Sequence, residues 1–404
     1  MTTTTFNAKL AGGVRVDIPP LLVIVLALAA GVLVLSSAVS VTQALLFLTG
    51  GLLGLALYQA SFGFTGGWKR FATEGRSRSM RAQFFMIAIT AIVFIPLMSG
   101  AFDLGRSVVG AWAPVGVSVI LGAFMFGAGM QLGGGCGSGT LFTVGGGSAR
   151  MLVTLVGFII GATVGTLHLP FWIQLPSLPV IRFGESFGAL GGTLLTLVGL
   201  AALIGLLAYI EKRKHGNVES IFSGLKDLTP SSFLHGPWPL ILAAVVLALG
   251  NVFTLLLAGH PWSVTYGFGL WGAKIFEAVG IEVSSWQFWQ NPAQARALQN
   301  SVLFDVTSVM NFGVILGAAL AASLAGKFAP KAAVPFLSWV AAIVGGLLMG
   351  YGARLSFGCN IGALFSGIAS GSLHGWVWFV MAYLGSLLGI FIRPLFGLDG
   401  FKRA

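Results

Sequence analysis

Two short segments carry the only thiols of the chain, and their residue types are the ones that could do chemistry. "LGGGCGSGTLF" covers 132–142 and contains Cys136; "LSFGCNIGALF" covers 355–365 and contains Cys359. Glycine on either side of a cysteine lets the backbone turn tightly and exposes consecutive N–H groups, which together form anion-binding concavities. A thiol there is a weak, polarizable donor, better matched to a sulfur atom than to a hard oxygen. Gly135 and Gly137 flank the first thiol, and Gly358 and Asn360 the second. Helices expected to start near Gly147 and Ser370 would add the positive ends of their dipoles. Nothing adjacent in sequence lowers the thiol pKa, so nucleophilic activation has no visible source. A membrane sulfurtransferase working through a cysteine persulfide is therefore the weaker alternative.

Shifting the first segment by 223 positions lays it on the second. Gly127 falls on Gly350, Gly129 on Gly352, Leu132 on Leu355, Gly135 on Gly358 and Cys136 on Cys359. Gly139, Leu141 and Phe142 fall on Gly362, Leu364 and Phe365. Upstream, "FGFTGGWKRF" (62–71) resembles "YGFGLWGAKIF" (266–276) with one insertion. The chain reads as one membrane domain over 1–404, with pseudo-repeats at about 42–210 and 238–395.

The elements that must position these segments are membrane helices. Of 404 residues, 56% are hydrophobic and 8% charged, against roughly 25% charged in a soluble domain. Several apolar runs reach the ~20 residues that cross a bilayer, and the ~10-residue alternation of a β-barrel is absent. The fold class is an all-α integral membrane protein with ten helices, or nine if one lies flat. The spans fall near 20–38, 42–60, 83–99, 114–132, 150–168, 191–210, 238–258, 302–325, 332–353 and 373–393. The N-terminal run is long enough to stay in the membrane and does not read as a cleaved signal peptide. With 59 glycines, about twice the usual share, the two cysteine segments and "SFGFTGGW" (61–68) read as broken segments at membrane depth. Irregular backbone is tolerated there only where it lines a cavity or is buried in protein.

The formal charge of +11 follows from loop basic residues and does not point to nucleic acid. With the N-terminus inside, 17 of the 22 Lys and Arg residues fall on the inner side, including Lys9, Arg15, Lys69, Arg70, Lys331, Lys402 and Arg403. Arg106, Arg182, Lys274, Arg296 and Arg354 fall outside. The positive-inside rule then places both termini in the cytoplasm. Cys136 follows a span running inward and Cys359 one running outward, so the two halves are expected to be inverted about an axis in the membrane plane. That is transporter or channel geometry.

At these residues the chain resembles the YeeE/YedE family of membrane proteins, the thiosulfate transporter family. "GYGARLSFGCNIGALFSGIASGSLHGW" (350–376) is similar to its G-x-GARL-x-x-GCN signature, and "GGGCGSGTLF" (133–142) to its other cysteine frame. "ASFGFTGGWKRF" (60–71) resembles a third segment that commonly carries a cysteine between two phenylalanines; here Gly63 stands between Phe62 and Phe64. The resemblance implies uptake of thiosulfate, or a related reduced sulfur or selenium anion, across a bacterial inner membrane along a thiol-lined path. It also implies a small sulfur-carrier protein of the TusA type on the cytoplasmic side. A relay of three thiols cannot be intact in this chain.

Arg354, five residues before Cys359, is a candidate to draw an anion toward the path, a guanidinium fork suiting a sulfonate-like group. The equivalent residue of the first frame is the neutral Gln131. Asp305, near the start of a span, is a candidate coupling carboxylate, and Asn311 is expected on the same side. Trp68, Trp262, Trp271, Trp286 and Trp289 are expected to anchor at the interface. No P-loop, nucleotide fingerprint or metal-ligand cluster is present, so neither a cofactor nor a metal is expected.

Overall fold

The apolar runs fold into ten segments long and apolar enough to cross a bilayer, as seen in a computed structural model that describes residues 7–9, 15–102, 105, 107–328 and 334–401. Arg106, Lys331, Lys402 and Arg403 lie outside the described residues, as do the side chains of Lys9 and Arg15. The helices are α1 (Ile18–Ala38), α2 (Val41–Gln59), α3 (Phe64–Glu74), α4 (Arg78–Met98), α5 (Val117–Gly133), α6 (Gly137–Gly145), α7 (Ala149–Trp172) and α8 (Phe183–His215). They continue with α9 (Pro230–His235), α10 (Leu240–Ala258), α11 (Thr265–Ala278), α12 (Pro292–Gln299), α13 (Val306–Leu324), α14 (Phe336–Leu355), α15 (Ser366–Ala369) and α16 (Leu373–Ile392). Three of the crossing segments are broken at glycine-rich turns, α2–α3, α5–α6, and α14 with the turns that follow Cys359, and α8 is kinked at Gly188 near its start. The first three are the glycine-rich breaks expected from sequence. Among the described residues, strand is confined to two-residue and three-residue pairs.

The helix ends sort onto two faces. Arg70 pairs with Glu219, Arg76 and Arg81 pair with Glu211, and the N–H of Trp238 donates to the Gln59 carbonyl. The ends of α2, α3 and α8 and the starts of α4 and α10 therefore share one face, here the basic face. On the opposite face Val109 N–H donates to the Gly259 carbonyl and Phe183 N–H to that of Gly371.

Packing runs through glycine. α14 lies against both α5 and α7, and α16 lies against α5. A methyl group on Gly129 would come within 2.8 Å of the Gly345 carbonyl oxygen, and one on Gly352 within 2.5 Å of that of Gly122. Shifting the first contact by 223 positions gives the second. A methyl on Gly127 would collide with the Ala382 carbonyl of α16, and one on Gly350 with the Phe158 carbonyl of α7. In lipid no hydrophobic force drives helices together, so close backbone approach at small residues carries the association.

Two expectations are corrected. Trp68, Trp262 and Trp289 are not interfacial anchors but fully buried. Trp68 donates its Nε1–H to Gln83 Oε1 at 3.1 Å and Trp289 to Thr166 Oγ1 at 2.9 Å. An indole buried with its one donor satisfied fills space between broken helices that no smaller residue would fill. The apolar stretch 259–301, whose tryptophans suggest short helices at the interface, is not a set of surface helices either. Its α11 descends among α7, α13 and α14, and only α12 and the neighbouring turns stay peripheral.

Candidate functional site

Each cysteine frame breaks its helix in the same physical way. α5 stops at Gly134, whose φ of +88° only glycine adopts readily. The backbone then extends through Gly135 to Cys136, the N-cap of α6. In the second frame Phe357 has φ +57° and Gly358 φ +153°, and Cys359 is the N-cap of a π-helix, Asn360–Phe365, that continues into α15. Helices do begin near Gly147 and Ser370 as expected, α7 at Ala149 and α16 at Leu373, but shorter helices already begin at the cysteines themselves. The reason is capping: a sulfur at the N-cap accepts the free amides of the first turn. Cys136 Sγ accepts from Gly139 N–H at 3.4 Å and lies 3.5 Å from Ser138 Oγ. Cys359 Sγ accepts from Ile361 N–H at 3.4 Å.

The frames meet. A methyl group on Gly137 would lie 3.1 Å from Cys359 Sγ, 3.4 Å from Val264 Cγ1 and 3.6 Å from Thr265 Cγ2. The N-terminus of α6 thus faces both the second thiol and the N-terminus of α11. On the other side the Phe64 N–H, at the start of α3, points to Cys136 Sγ. Four helix starts, those of α3, α6, α11 and the π-helix, converge on two sulfurs. Each start carries about half a positive charge from its unpaired amides. Gly135 and Gly358 are kept bare because a side chain would press on Thr140 N and Ala363 N, equivalent amides of the two following turns.

The candidate residues separate into those at this junction and those beside it. Cys136 and Cys359 are 1% and 0% exposed. Asn360 is fully buried and neither its Nδ2 nor its Oδ1 has a hydrogen-bond partner. A buried amide left wholly unpaired costs free energy, and it stands next to a thiol at a helix start. Phe62 and Phe64 are buried edge to face with centroids 6.4 Å apart. Between them Gly63 caps α3 and opens onto space: a methyl there would meet nothing nearer than the Ser61 carbonyl at 4.0 Å. Ser61 and Gly66 are exposed, so this opening faces water on the basic side.

Arg354 lies on the other side of the junction, in the last turn of α14. Its guanidinium sits 5.1 Å from the Phe288 ring centroid and 5.8 Å from that of Tyr266. Its Nε is buried without a partner, and among the described residues no carboxylate pairs with it. Gly269 leaves the room it occupies, since a methyl there would strike Nη2. Asp305 is not inside a span; it is the N-cap of α13, with Oδ2 accepting from Ser308 N–H at 2.7 Å and Ser308 Oγ at 2.6 Å. His374 is buried, with Nδ1 2.9 Å from Ser372 Oγ. Lys69 and Arg70 are held by Asp399, Glu74 and Glu219.

Sequence reasoning missed the contributions of α11 and α3 as helix starts at the thiols, the aromatic cage around Arg354, and Thr65, whose buried Oγ1 is unpaired. The likeness of "FGFTGGWKRF" to "YGFGLWGAKIF" was the available signal for the first of these. Among the described residues no group of three or more His, Cys, Asp or Glu could hold a metal.

The family model described as Sulphur transport matches residues 59–388. The chain is 24% identical over 355 residues to the thiosulfate transporter TsuA of Spirochaeta thermophila, covering 84% of this chain and 95% of that protein. It is 22% identical over 375 residues to TsuA of Escherichia coli K12, covering 85% and 94%. Over 153 residues it is 30% identical to the probable transporter YedE of Escherichia coli K12, and that match spans 38% of this chain and 36% of YedE. With ten crossing segments and a match over most of its length, the chain belongs to the sulphur transport (YeeE/YedE) family of all-α membrane proteins.

Proposed function

We propose that this protein carries thiosulfate, or a related reduced sulfur or selenium anion, across the bacterial inner membrane through the junction of its two cysteine frames. One observation carries the reading: two thiols and the unpaired amide of Asn360 sit where four helix N-termini converge. Thiosulfate offers a soft terminal sulfur and a sulfonate head. The thiols and Asn360 suit the first, and amide N–H groups suit the second. A dianion cannot cross plain hydrocarbon, and the helix starts supply positive potential without a fixed cation that would trap it. Arg354 would hold the anion on the way in, and the open face at Gly63, between Phe62 and Phe64, would let it out. The coverage of both TsuA proteins along nearly their whole length supports the same substrate class.

Both sulfurs are sealed, so passage needs a movement that opens the junction. The paired contacts of Gly129 with Gly345 and Gly352 with Gly122 support an inverted duplication as the moving architecture. The concentration of Lys and Arg on the basic face supports a cytoplasmic assignment for it and for both termini. A sulfur carrier of the TusA type on that face rests on the family resemblance. Persulfide chemistry is the poorer reading, because among the described residues no basic side chain is hydrogen-bonded to either thiol.

Purified protein in liposomes should take up labelled thiosulfate, and Cys136→Ala and Cys359→Ala should each cut the rate while leaving the fold intact. Undiminished uptake by both variants removes the thiols from the mechanism.

A further inference from the structure

We propose that Asp305 is a proton-binding site through which the water on the opposite face controls the junction, an inference that rests on the transport reading. Asp305 lines a cavity of about 420 Å³ on that face, together with His260, Arg296, Asn300 and Ser301. A polar line leads inward from it. Asp305 Oδ2 accepts both the N–H and the hydroxyl of Ser308, and that hydroxyl also accepts from Trp271 Nε1 at 2.8 Å. One turn further along α13, Asn311 Nδ2 donates to the Val264 carbonyl at 2.9 Å, and its Oδ1 is buried without a partner. Gly267 of α11 lies against these groups: a methyl on it would be 3.0 Å from Asn311 Nδ2 and 3.4 Å from both the nitrogen and the hydroxyl of Ser308. Val264 is the N-cap of α11 and, with Cys359 Sγ, packs on Gly137. The line therefore joins the cavity to the thiols in two turns of helix.

The ionic surroundings of Asp305 are few. His260 faces it from the α10–α11 connection, Tyr266 from α11 and Arg296 from α12. α2 contributes the neutral Gln43, bonded to the Phe304 carbonyl, and Lys274 of α11 sits at the cavity rim, donating to the Leu298 and Asn300 carbonyls. Burial pushes the Asp305 carboxyl up, against the Ser308 hydrogen bonds that hold it down. The step is simple to balance. A proton from cavity water adds to a carboxylate oxygen, the carboxyl becomes neutral, and Ser308 loses a charged acceptor. The first turn of α13 slackens, Asn311 shifts with it, and the α11 cap is freed to move off Gly137. Loss of the proton to the same water restores the cap.

Asparagine caps a helix as well as aspartate but does not titrate, so Asp305→Asn separates the two roles. In proteoliposomes, uptake by the native protein should rise several-fold as the external medium goes from about pH 8 to about pH 5, and Asp305→Asn should transport at a rate that does not follow external pH. A variant with the native pH profile overturns the proposal. A second readout needs no transport. With its folded pKa raised, Asp305 stabilises the native chain at acid pH and ceases to as pH rises through that pKa. The Tm of the native protein in detergent, less that of Asp305→Asn, should therefore grow as pH falls. A difference flat across that range overturns the site, whereas absent uptake in the native protein would remove the transport reading alone.

Discussion

Replacing Gly137 with alanine places one methyl group 3.1 Å from Cys359 Sγ and 3.4 Å from Val264 Cγ1. Gly137 is the first residue of α6, so alanine's higher helix propensity favours the folded chain by up to about 1 kcal/mol. The crowded contact opposes it, since one extra methyl in a packed interior costs about 1–3 kcal/mol. Stability should therefore fall by at most about 3 kcal/mol. The transport rate should suffer more, because the methyl stands where the two frames must part to pass an anion. If the methyl crowds the passing anion in the opened junction by a similar amount, about 1–3 kcal/mol, uptake drops roughly 5- to 150-fold. Gly205→Ala, in α8 and away from the junction, is the matched control: its methyl meets nothing within 4 Å. The assay is the initial rate of labelled thiosulfate uptake at equal reconstituted protein, with Tm in detergent measured in parallel. Native rates for Gly137→Ala would refute the reasoning, as would equal losses for the two variants.

Two further outcomes follow from the same geometry. Asn360→Leu removes two buried polar atoms without partners, each costing about 1–3 kcal/mol, so Tm should rise or hold while uptake collapses; a parallel fall of both would make Asn360 a structural residue. Glu211 is fully buried and takes hydrogen bonds from Arg76, Arg81 and Ser77; Glu211→Gln strips the charge from that cluster and should destabilise by about 3–5 kcal/mol, read as a lowered Tm with the thiol junction unaltered.

The ten crossing segments were legible because lipid leaves a backbone one way to satisfy itself. Runs of apolar residues near the length of a bilayer announce themselves without any partner. The three broken segments were legible too, since glycine clusters at membrane depth have few other uses, and the 223-residue offset between the cysteine frames made the second a copy of the first. The same reasoning found the helices that start at Ala149 and Leu373 but missed the shorter ones that start at the cysteines. It read glycine as loop, whereas the first turn of α6 needs glycine because Cys359 Sγ occupies the space of a side chain. It also read Trp68, Trp262 and Trp289 as surface anchors from their type alone, although their burial depends on which helices break beside them.

What the linear chain determined by itself was a membrane-spanning helical protein with two thiols in equivalent glycine-rich frames and a positive face. Those properties follow from local hydropathy, turn chemistry and charge count. Only the tertiary structure decided that the frames touch, that four helix starts share the junction, that Asn360 is left unpaired there, and that Arg354 is caged by Tyr266 and Phe288. Each of these depends on residues far apart in the chain, brought together by close helix packing at glycines, and no local rule encodes such a meeting.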